Sequence, residues 1–395
     1  MCAEGRGPNR LHFPLQRAIR HSLLNIFARF VNAPPHEWFR AALADASAPE
    51  AGFFFFTDHP RQYDAWWNLR EMPIFDHRSR ELRRRLYDGP DSVVARWLGP
   101  HALDAWRIDV ANMTGIHGDI HLSHEVAVTI RRTMAQVTSE SFLQAESNHD
   151  ASRDLLGDGY QGTMNYAAFT RPLWQWLLPR QSRPYRHGKY PALPNLPGEQ
   201  VVRAMRGLSG VTPWQATLHA MNLIGSHDTH RVASLLGDPA RVDVAFGMLA
   251  AYPGVPMIYA GDELGLATMG PEYARIPMPW DHPERWDQRR LAQVRALYGA
   301  RATSPALRRG GLRWVSIGDE ALTFLREAPG ETILVHAARA DHEPVRLPHQ
   351  VVGAALAGLA GTPDLMLERD GRVTLPAQGP AIGLWRLPNS EARPG

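Results

Sequence analysis

Three short apolar runs in this chain each end on a carboxylate. Leu103–Asp109 reads LDAWRID, Phe142–Glu146 reads FLQAE, and Met221–Asp228 reads MNLIGSHD. Short β-like runs that stop at an acid, with helical stretches between them, are typical of parallel barrel strands whose C-terminal ends carry an active site. Two such acids suffice to cleave a glycosidic bond, because one protonates the leaving oxygen and the other attacks or stabilises the sugar carbon.

Strand-like and helix-like segments alternate between about residues 91 and 304, which predicts an α/β fold of parallel strands joined by right-handed helical crossovers. The predicted strands span 102–110, 141–146, 161–165, 221–226 and 255–260, and the predicted helices span 125–137, 199–206, 242–250 and 289–301. Residues 35–90 are rich in aromatic residues and proline without a clear period and predict an irregular excursion. Residues 305–395 contain short alternating runs separated by Gly, Pro and Asp, which predict a C-terminal antiparallel β-sandwich domain.

Composition excludes several classes of partner. Among the 395 residues, 43 Lys and Arg nearly balance 40 Asp and Glu, so we expect no nucleic-acid partner. The longest uninterrupted apolar candidates, such as Phe53–Phe56, are far shorter than a spanning helix, so we expect no membrane insertion. The single cysteine, Cys2, excludes an internal disulfide and favours a reducing compartment, so we expect a cytoplasmic protein.

The first two acids have neighbours that suit complementary chemical roles. Arg107 precedes Asp109 by two positions, so both side chains leave the same strand face and the guanidinium can hold the carboxylate ionised, as a nucleophile requires. The alternative is a structural pair that ties the strand end to its loop. Glu146 closes an apolar strand, where partial burial would raise its pKa toward that of a general acid; the alternative is a surface carboxylate.

The third acid lies in the segment SHDTHR. His227 can donate to a sugar hydroxyl beside Asp228, and Arg231 is grouped with them as a candidate substrate-binding residue. The alternative is that Asp228 only caps a helix N-terminus. His117, His121 and His124 invite a metal site, but their spacing matches no zinc signature, so we expect no metal.

Taken together, the segments WRIDVAN, FLQAE, SHDTHR and GVPMIYAGDELG strongly resemble the alpha-amylase family of glycoside hydrolases. The resemblance is greatest to the cyclomaltodextrinase and neopullulanase branch, because Ala111 and Asn112 follow the first acid and EMPIFD occurs in the excursion. It implies a (β/α)8 TIM-type barrel and a retaining hydrolase that acts on α-1,4-linked glucans or maltooligosaccharides.

The resemblance also implies residue roles. Asp109 would be the nucleophile, Glu146 the general acid and base, and Asp228 the acid that stabilises the transition state. Arg107 would orient the nucleophile and His227 would contact sugar hydroxyls. The expected partner is therefore an oligosaccharide or α-glucan.

The resemblance further predicts that the barrel is N-terminally incomplete. The family places three strands before the excursion, whereas residues 1–34 are too short to hold them and are interpreted as an unmatched leader. The Asn that provides a calcium ligand in many relatives is not found there, so no cofactor is expected, and the missing dimerising domain favours a monomer. The alternatives to hydrolysis are transglycosylation or isomerisation of α-glucosides, and a truncated, catalytically impaired fragment.

Overall fold

The computed structural model describes residues 36–99, 103–179, 193–268, 274–353 and 355–388. The chain divides into two compact units, Met1–Met164 and Asn165–Gly395. The predicted leader, and with it the expectation that three barrel strands are missing, falls on residues outside the described ranges.

The described part of the first unit alternates short strands with helices. Its helices are α1 (Glu37–Ala44), α2 (Arg80–Leu86), α3 (Val93–Leu98) and α4 (Ser123–Val137), and its strands are β1 (Phe56–Asp58), β2 (Gln62–Tyr63), β3 (Ala105–Ile108), β4 (Ile116–His117), β5 (Ile120–His121), β6 (Phe142–Ala145) and β7 (Gly162–Thr163). The Ser79 and Ser92 hydroxyls accept hydrogen bonds from backbone N–H groups of α2 and α3 and so define where these helices begin.

A parallel sheet in the order β3-β6-β7 forms the centre of this unit. All four residues of β3 are buried, as expected for a strand covered on both faces. Helix α4 provides the crossover between β3 and β6, and it buries one face through Val126, Ile130 and Met134. The predicted strands over 102–110, 141–146 and 161–165 are confirmed, although each observed strand is shorter.

The aromatic residues of the excursion pack mainly on one another. Phe39 makes edge contacts with Phe54 and Tyr63, with ring centroids 4.9 Å apart in both pairs. Phe53 is completely buried, and β1 and β2 form a small antiparallel hairpin beside this cluster. The excursion therefore has its own small aromatic core.

The described part of the second unit combines helices, one short parallel strand pair and a larger antiparallel sheet. Its helices are α5 (Arg171–Leu177), α6 (Gly198–Ser209), α7 (Trp214–His219), α8 (Val232–Leu236), α9 (Pro239–Ala251), α10 (Gln288–Thr303), α11 (Pro305–Arg309) and α12 (His349–Val352). Its strands are β8 (Met221–Leu223), β9 (Val255–Met257), β10 (Gly311–Ile317), β11 (Ala321–Ala328), β12 (Glu331–Ala338), β13 (Arg346–Pro348), β14 (Ala355–Leu359), β15 (Leu365–Met366), β16 (Arg372–Thr374) and β17 (Ala381–Arg386).

Strands β8 and β9 pair in parallel, with Met221 opposite Val255. Helix α9 connects them, begins at Pro239 with the Asp238 carboxylate as its cap, and buries nine of its 13 residues. A helix that is apolar on nearly every side must be covered on every side. The predicted helices over 199–206, 242–250 and 289–301 are confirmed and extend further than predicted.

The antiparallel sheet has the strand order β10-β11-β12-β17-β14-β15. One face shares a core with α9, in which Phe246 and Leu249 lie with Phe324, Val335 and Leu384. A second core, containing Leu325, Leu334 and Trp385, lies on the side of β13, β16 and α12. The antiparallel character predicted for this region is confirmed, while the domain boundary at 305 stays a prediction.

The approach of α9 to β17 requires a glycine. A Cβ atom built on Gly247 would lie 2.5 Å from Ile382 Cδ1 and 2.7 Å from Cγ2. In the ranges described, no helix has both the length and the apolarity needed to cross a bilayer.

Candidate active site

The first two acids lie side by side where β3 and β6 end. Ile108 is opposite Ala145 in this parallel ladder, so the next residues along the two strands are Asp109 and Glu146. The ladder continues for one more bond, because the Glu146 N–H donates to the Ile108 carbonyl over 2.9 Å. Since neighbouring strands are about 4.8 Å apart, both carboxyl groups reach the same rim of the sheet.

A single buried guanidinium joins the two acids. One terminal nitrogen of Arg107 contacts the Asp109 carboxylate, and the other lies 2.9 Å from Glu146 Oε2. The side chains of Arg107, Asp109 and Glu146 are 3%, 13% and 8% exposed, so the contacts lie in a poorly solvated place where charge–charge interactions are strong. The structure thus brings together three of the six predicted site residues.

The residue after the first acid reinforces this arrangement. Val110 adopts φ +44°, a left-handed conformation that a β-branched residue rarely takes. In this conformation its N–H donates to Glu146 Oε2 over 2.8 Å, and the next N–H, of Ala111, donates to the Glu146 carbonyl over 3.0 Å. Two donors on one oxygen, together with the turn, fix the position of the Glu146 carboxyl group.

The third acid lies in the second unit, after β8. Asp228 Oδ2 is 2.9 Å from His227 Nε2, and Arg275 donates to Asp228 Oδ1 over 2.9 Å and to the His227 carbonyl over 2.8 Å. The alternative interpretation of Asp228 as a helix cap is wrong, because the residue that precedes α8 is Arg231. His227 and Asp228 are instead joined by one exposed arginine.

Arg231 faces the protein interior. Its side chain is 1% exposed and donates to Asp262 Oδ1 over 2.8 Å and to the Ala260 carbonyl over 3.0 Å. The Tyr259 ring covers the guanidinium, with 4.5 Å between the Cζ atom and the ring centroid. Burial raises the pKa of Asp262 to about 7, and Arg231 acts against this rise. In this structure Arg231 therefore contacts protein groups, and its predicted contact with substrate stays a prediction.

Two of the three histidines considered as metal ligands contact different carboxylates. His117 Nε2 lies 2.8 Å from Asp64 Oδ2, and His124 Nε2 lies 3.2 Å from Asp158 Oδ2. Over the part of the chain that is described, no three His, Cys, Asp or Glu side chains converge as metal ligands would.

Three residues that shape these sites were not singled out from the sequence: Asp262, which occurs within the GDELG segment, Tyr259 and Arg275. The signal for Asp262 was present, since a buried Arg231 requires a counter-charge. Arg275 had no such signal, because it lies 47 positions from the carboxylate that it contacts.

Glycosidases use a pair of neighbouring carboxyl groups, and this structure places two carboxylates on one guanidinium where two parallel strands end. A sequence profile described as the alpha amylase catalytic domain matches residues 32–288, well over half of the chain and inclusive of every predicted site residue. The chain belongs to the alpha-amylase family.

Among its relatives is a cyclomaltodextrinase of Geobacillus thermopakistaniensis, 27% identical over 288 residues, a match that covers 72% of this chain and 44% of the relative. The native debranching enzyme of Nostoc punctiforme superimposes with a TM-score of 0.74 at 22% identity, covering 88% of this chain and 72% of that one. The cyclic alpha-maltosyl-(1→6)-maltose hydrolase of Arthrobacter globiformis, solved in complex with that cyclic sugar, superimposes with a TM-score of 0.71 at 23% identity. The superposition covers 89% of this chain and 72% of the hydrolase.

These likenesses confirm the predicted fold class, a TIM-barrel-type α/β fold with a C-terminal antiparallel sheet. The chain spans less than half the length of the first curated relatives that it matches, 44% and 43%.

Proposed function

We propose that this protein is a retaining glycoside hydrolase that acts on α-1,4-linked glucans or maltooligosaccharides by double displacement. The observation that carries the proposal is the joining of Asp109 and Glu146 by the Arg107 guanidinium at the ends of paired parallel strands. Carboxyl groups about 5 to 5.5 Å apart suit a covalent glycosyl intermediate, whereas inversion needs a wider gap to seat a water. Adjacent register positions that share one guanidinium favour the shorter separation.

In this mechanism Asp109 attacks the anomeric carbon while Glu146 protonates the leaving glycosidic oxygen, and Glu146 then removes a proton from the water that releases the sugar. Arg107 contacts the Asp109 carboxylate and directs it at the sugar. Two carboxylates share the single positive charge of Arg107, so a proton on Glu146 relieves their mutual repulsion. The Val110 N–H holds the Glu146 carboxyl in place during both steps.

The second group of residues has roles in sugar binding in this proposal. Asp228 stabilises charge on the distorted ring and His227 donates to a ring hydroxyl. Arg231, buried on Asp262, positions the loop that carries them.

The printed names of relatives support the choice of substrate. They include a cyclomaltodextrinase, a maltogenic alpha-amylase of Bacillus acidopullulyticus and neopullulanase 2 of Thermoactinomyces vulgaris. The single cysteine supports a cytoplasmic location.

The test is an assay of maltooligosaccharides and cyclomaltodextrins with the wild-type chain and the Asp109→Asn variant. Removing the nucleophile is expected to lower kcat by at least about 10³-fold, since the covalent step is lost. Asp119→Asn, at an exposed carboxylate in the same unit, is the matched control and should keep full activity. Equal turnover by the wild type and Asp109→Asn would contradict the proposal.

A further inference from the structure

A stacked pair of tryptophans in the excursion, half-buried Trp66 and exposed Trp67, has no role in the mechanism above. The rings of Trp66 and Trp67 stack with centroids 5.1 Å apart and an angle of 23° between their planes. Trp67 is 69% exposed, although burial of such a ring is strongly favourable. A large aromatic side chain exposed to water is typical of a binding surface.

The backbone of this loop is held in a conformation that presents the ring. Trp67 has φ +52° and Asn68 has φ +59°, and a bulky residue in the left-handed region is strained. Hydrogen bonds fix the loop on both sides: the Trp66 N–H donates to the Met72 carbonyl over 2.9 Å and the Ile74 N–H to the Asp64 carbonyl over 3.0 Å. The strain is thus maintained by the surrounding structure, as it is at functional sites.

One member of the pair lies near the turn that follows the first acid. Trp66 lines a cavity of about 60 Å³ whose other walls include Val110, Met113 and Thr114. Val110 is the residue that follows Asp109 and whose N–H holds Glu146. Trp66 therefore lies near the turn that follows Asp109, and Trp67 stacks on Trp66.

The chemistry of this surface fits a sugar. A pyranose ring presents an apolar C–H face that stacks on an aromatic ring, and a tryptophan offers the largest such ring at little cost in side-chain entropy. The residues that follow the pair include the neutral Asn68 and two side chains of opposite charge, Arg70 and Glu71. Because these charges balance, the surface favours an uncharged, hydroxyl-rich ligand over an anion or a cation.

We propose that Trp67, supported by Trp66, is a stacking subsite for a non-reacting glucosyl unit of an α-glucan. This inference rests on the proposed function and adds a binding site to it. Because the contact is made equally in the ground state and the transition state, it raises affinity and leaves the chemical step unchanged.

The test measures the binding of maltohexaose by calorimetry in an Asp109→Asn background, which prevents turnover. Trp67→Asn removes the ring and tolerates the left-handed conformation, so the fold is kept and affinity is expected to fall roughly three- to tenfold. Trp67→Phe keeps an aromatic face and should retain most of the affinity. Trp214→Asn, at a tryptophan that is 45% exposed in the second unit, should leave affinity unchanged.

In the otherwise wild-type chain, Trp67→Asn should raise KM for maltohexaose by a similar factor with little change in kcat. Equal affinity of Asp109→Asn and Asp109→Asn/Trp67→Asn would overturn the stacking subsite while the proposed function stands. A change in self-association without a change in sugar affinity would also overturn it, in favour of a protein contact. If instead the wild-type chain turns over no α-glucan and Asp109→Asn binds none, the proposed function fails first.

Discussion

At the scale of single residues, burial decides what the charged groups of the SHDTHR segment can do. Asp228 is partly exposed and can meet a ligand, whereas Arg231 and Asp262 are 1% and 0% exposed and interact with each other. The geometry of this pair leaves Arg231 Nε and Asp262 Oδ2 buried without a hydrogen-bond partner. Such a pair holds two loops together at a considerable desolvation cost.

The pH dependence of this pair gives a prediction about stability. Because burial raises the pKa of Asp262 to about 7, the folded protein binds a proton there at pH 5 and releases it by pH 8.5. Arg231→Met should therefore lower the free energy of unfolding by about 1 to 3 kcal/mol at pH 5, through lost hydrogen bonds, and by about 3 to 5 kcal/mol at pH 8.5, where Asp262 must ionise without a counter-charge. Urea denaturation at both pH values measures this difference.

The double variant Arg231→Met, Asp262→Asn is the control, because it has no carboxyl group at position 262 to ionise, so its own free energy of unfolding should fall less between pH 5 and pH 8.5 than that of Arg231→Met. A loss caused by Arg231→Met that does not depend on pH would show that Asp262 is charged throughout this range.

The site residues illustrate which residue-scale features a sequence can supply. Arg107 and Asp109 are two positions apart on one strand, so local geometry alone predicts their contact. The contacts of Glu146 with Arg107 and Val110 depend on the register between β3 and β6, which residue types near position 146 do not encode. The conformation of Val110 could not be predicted at all, since valine is disfavoured at positive φ.

At the scale of elements, the contact between α9 and β17 depends on one missing side chain. Gly247 lies where a Cβ atom would come within 2.5 Å of Ile382. Gly247→Ala is expected to lower stability by about 1 to 2 kcal/mol, because overpacking outweighs the roughly 1 kcal/mol gained from helix propensity. Thermal and urea unfolding measure the change.

Ile382→Ala provides the second half of a double-mutant cycle. Alone it leaves a cavity and destabilises the protein, but in combination with Gly247→Ala the two changes should compensate, with a coupling energy of about 1 kcal/mol or more. Additive losses would mean that the helix and strand can separate without strain. Gly207→Ala, at a helical glycine with open space around it, should be neutral or stabilising.

Element types were predictable where apolar periodicity is strong, as in α4 and in the C-terminal strands. The end of β3 was less predictable, because the apolar residue Val110 adopts φ +44° and belongs to the turn that follows the ladder, which ends at Ile108 and Ala145. The sharing of one core by α9 and the antiparallel sheet was not predicted, since it depends on contacts more than 70 positions apart, such as those of Phe246 and Phe324.

At the scale of the whole molecule, each unit contains a deeply buried histidine whose pKa is lowered, His77 in the first and His336 in the second. Burial lowers the pKa of His77 to about 4, with Arg83 acting in the same direction and Asp76 against it. Burial also lowers the pKa of His336 to about 4, helped by His342. Both rings are neutral in the folded protein at pH values where the unfolded chain binds a proton.

These histidines predict sensitivity to acid in both units. Their stabilising effect is complete above pH 6.5, the ordinary pKa of histidine, and is lost as the pH falls toward 4. Each should reduce the free energy of unfolding by about 2 kcal/mol between pH 8 and pH 5. Urea titrations should show a flatter pH dependence for His77→Gln and His336→Gln, whereas His349→Gln, at an exposed histidine, should follow the wild type. Unchanged slopes in the first two variants would contradict this assignment.

The common core of α9 and the antiparallel sheet has a consequence for how this part of the chain can vary. If the chain were cleaved near Ser304, the two fragments would stay associated non-covalently. Their separation would expose to water the apolar core that α9 and the antiparallel sheet share. A recombination event that exchanged these strands for those of another protein would have to supply a surface complementary to α9. That surface would have to fit closely against Gly247, where the helix has no side chain.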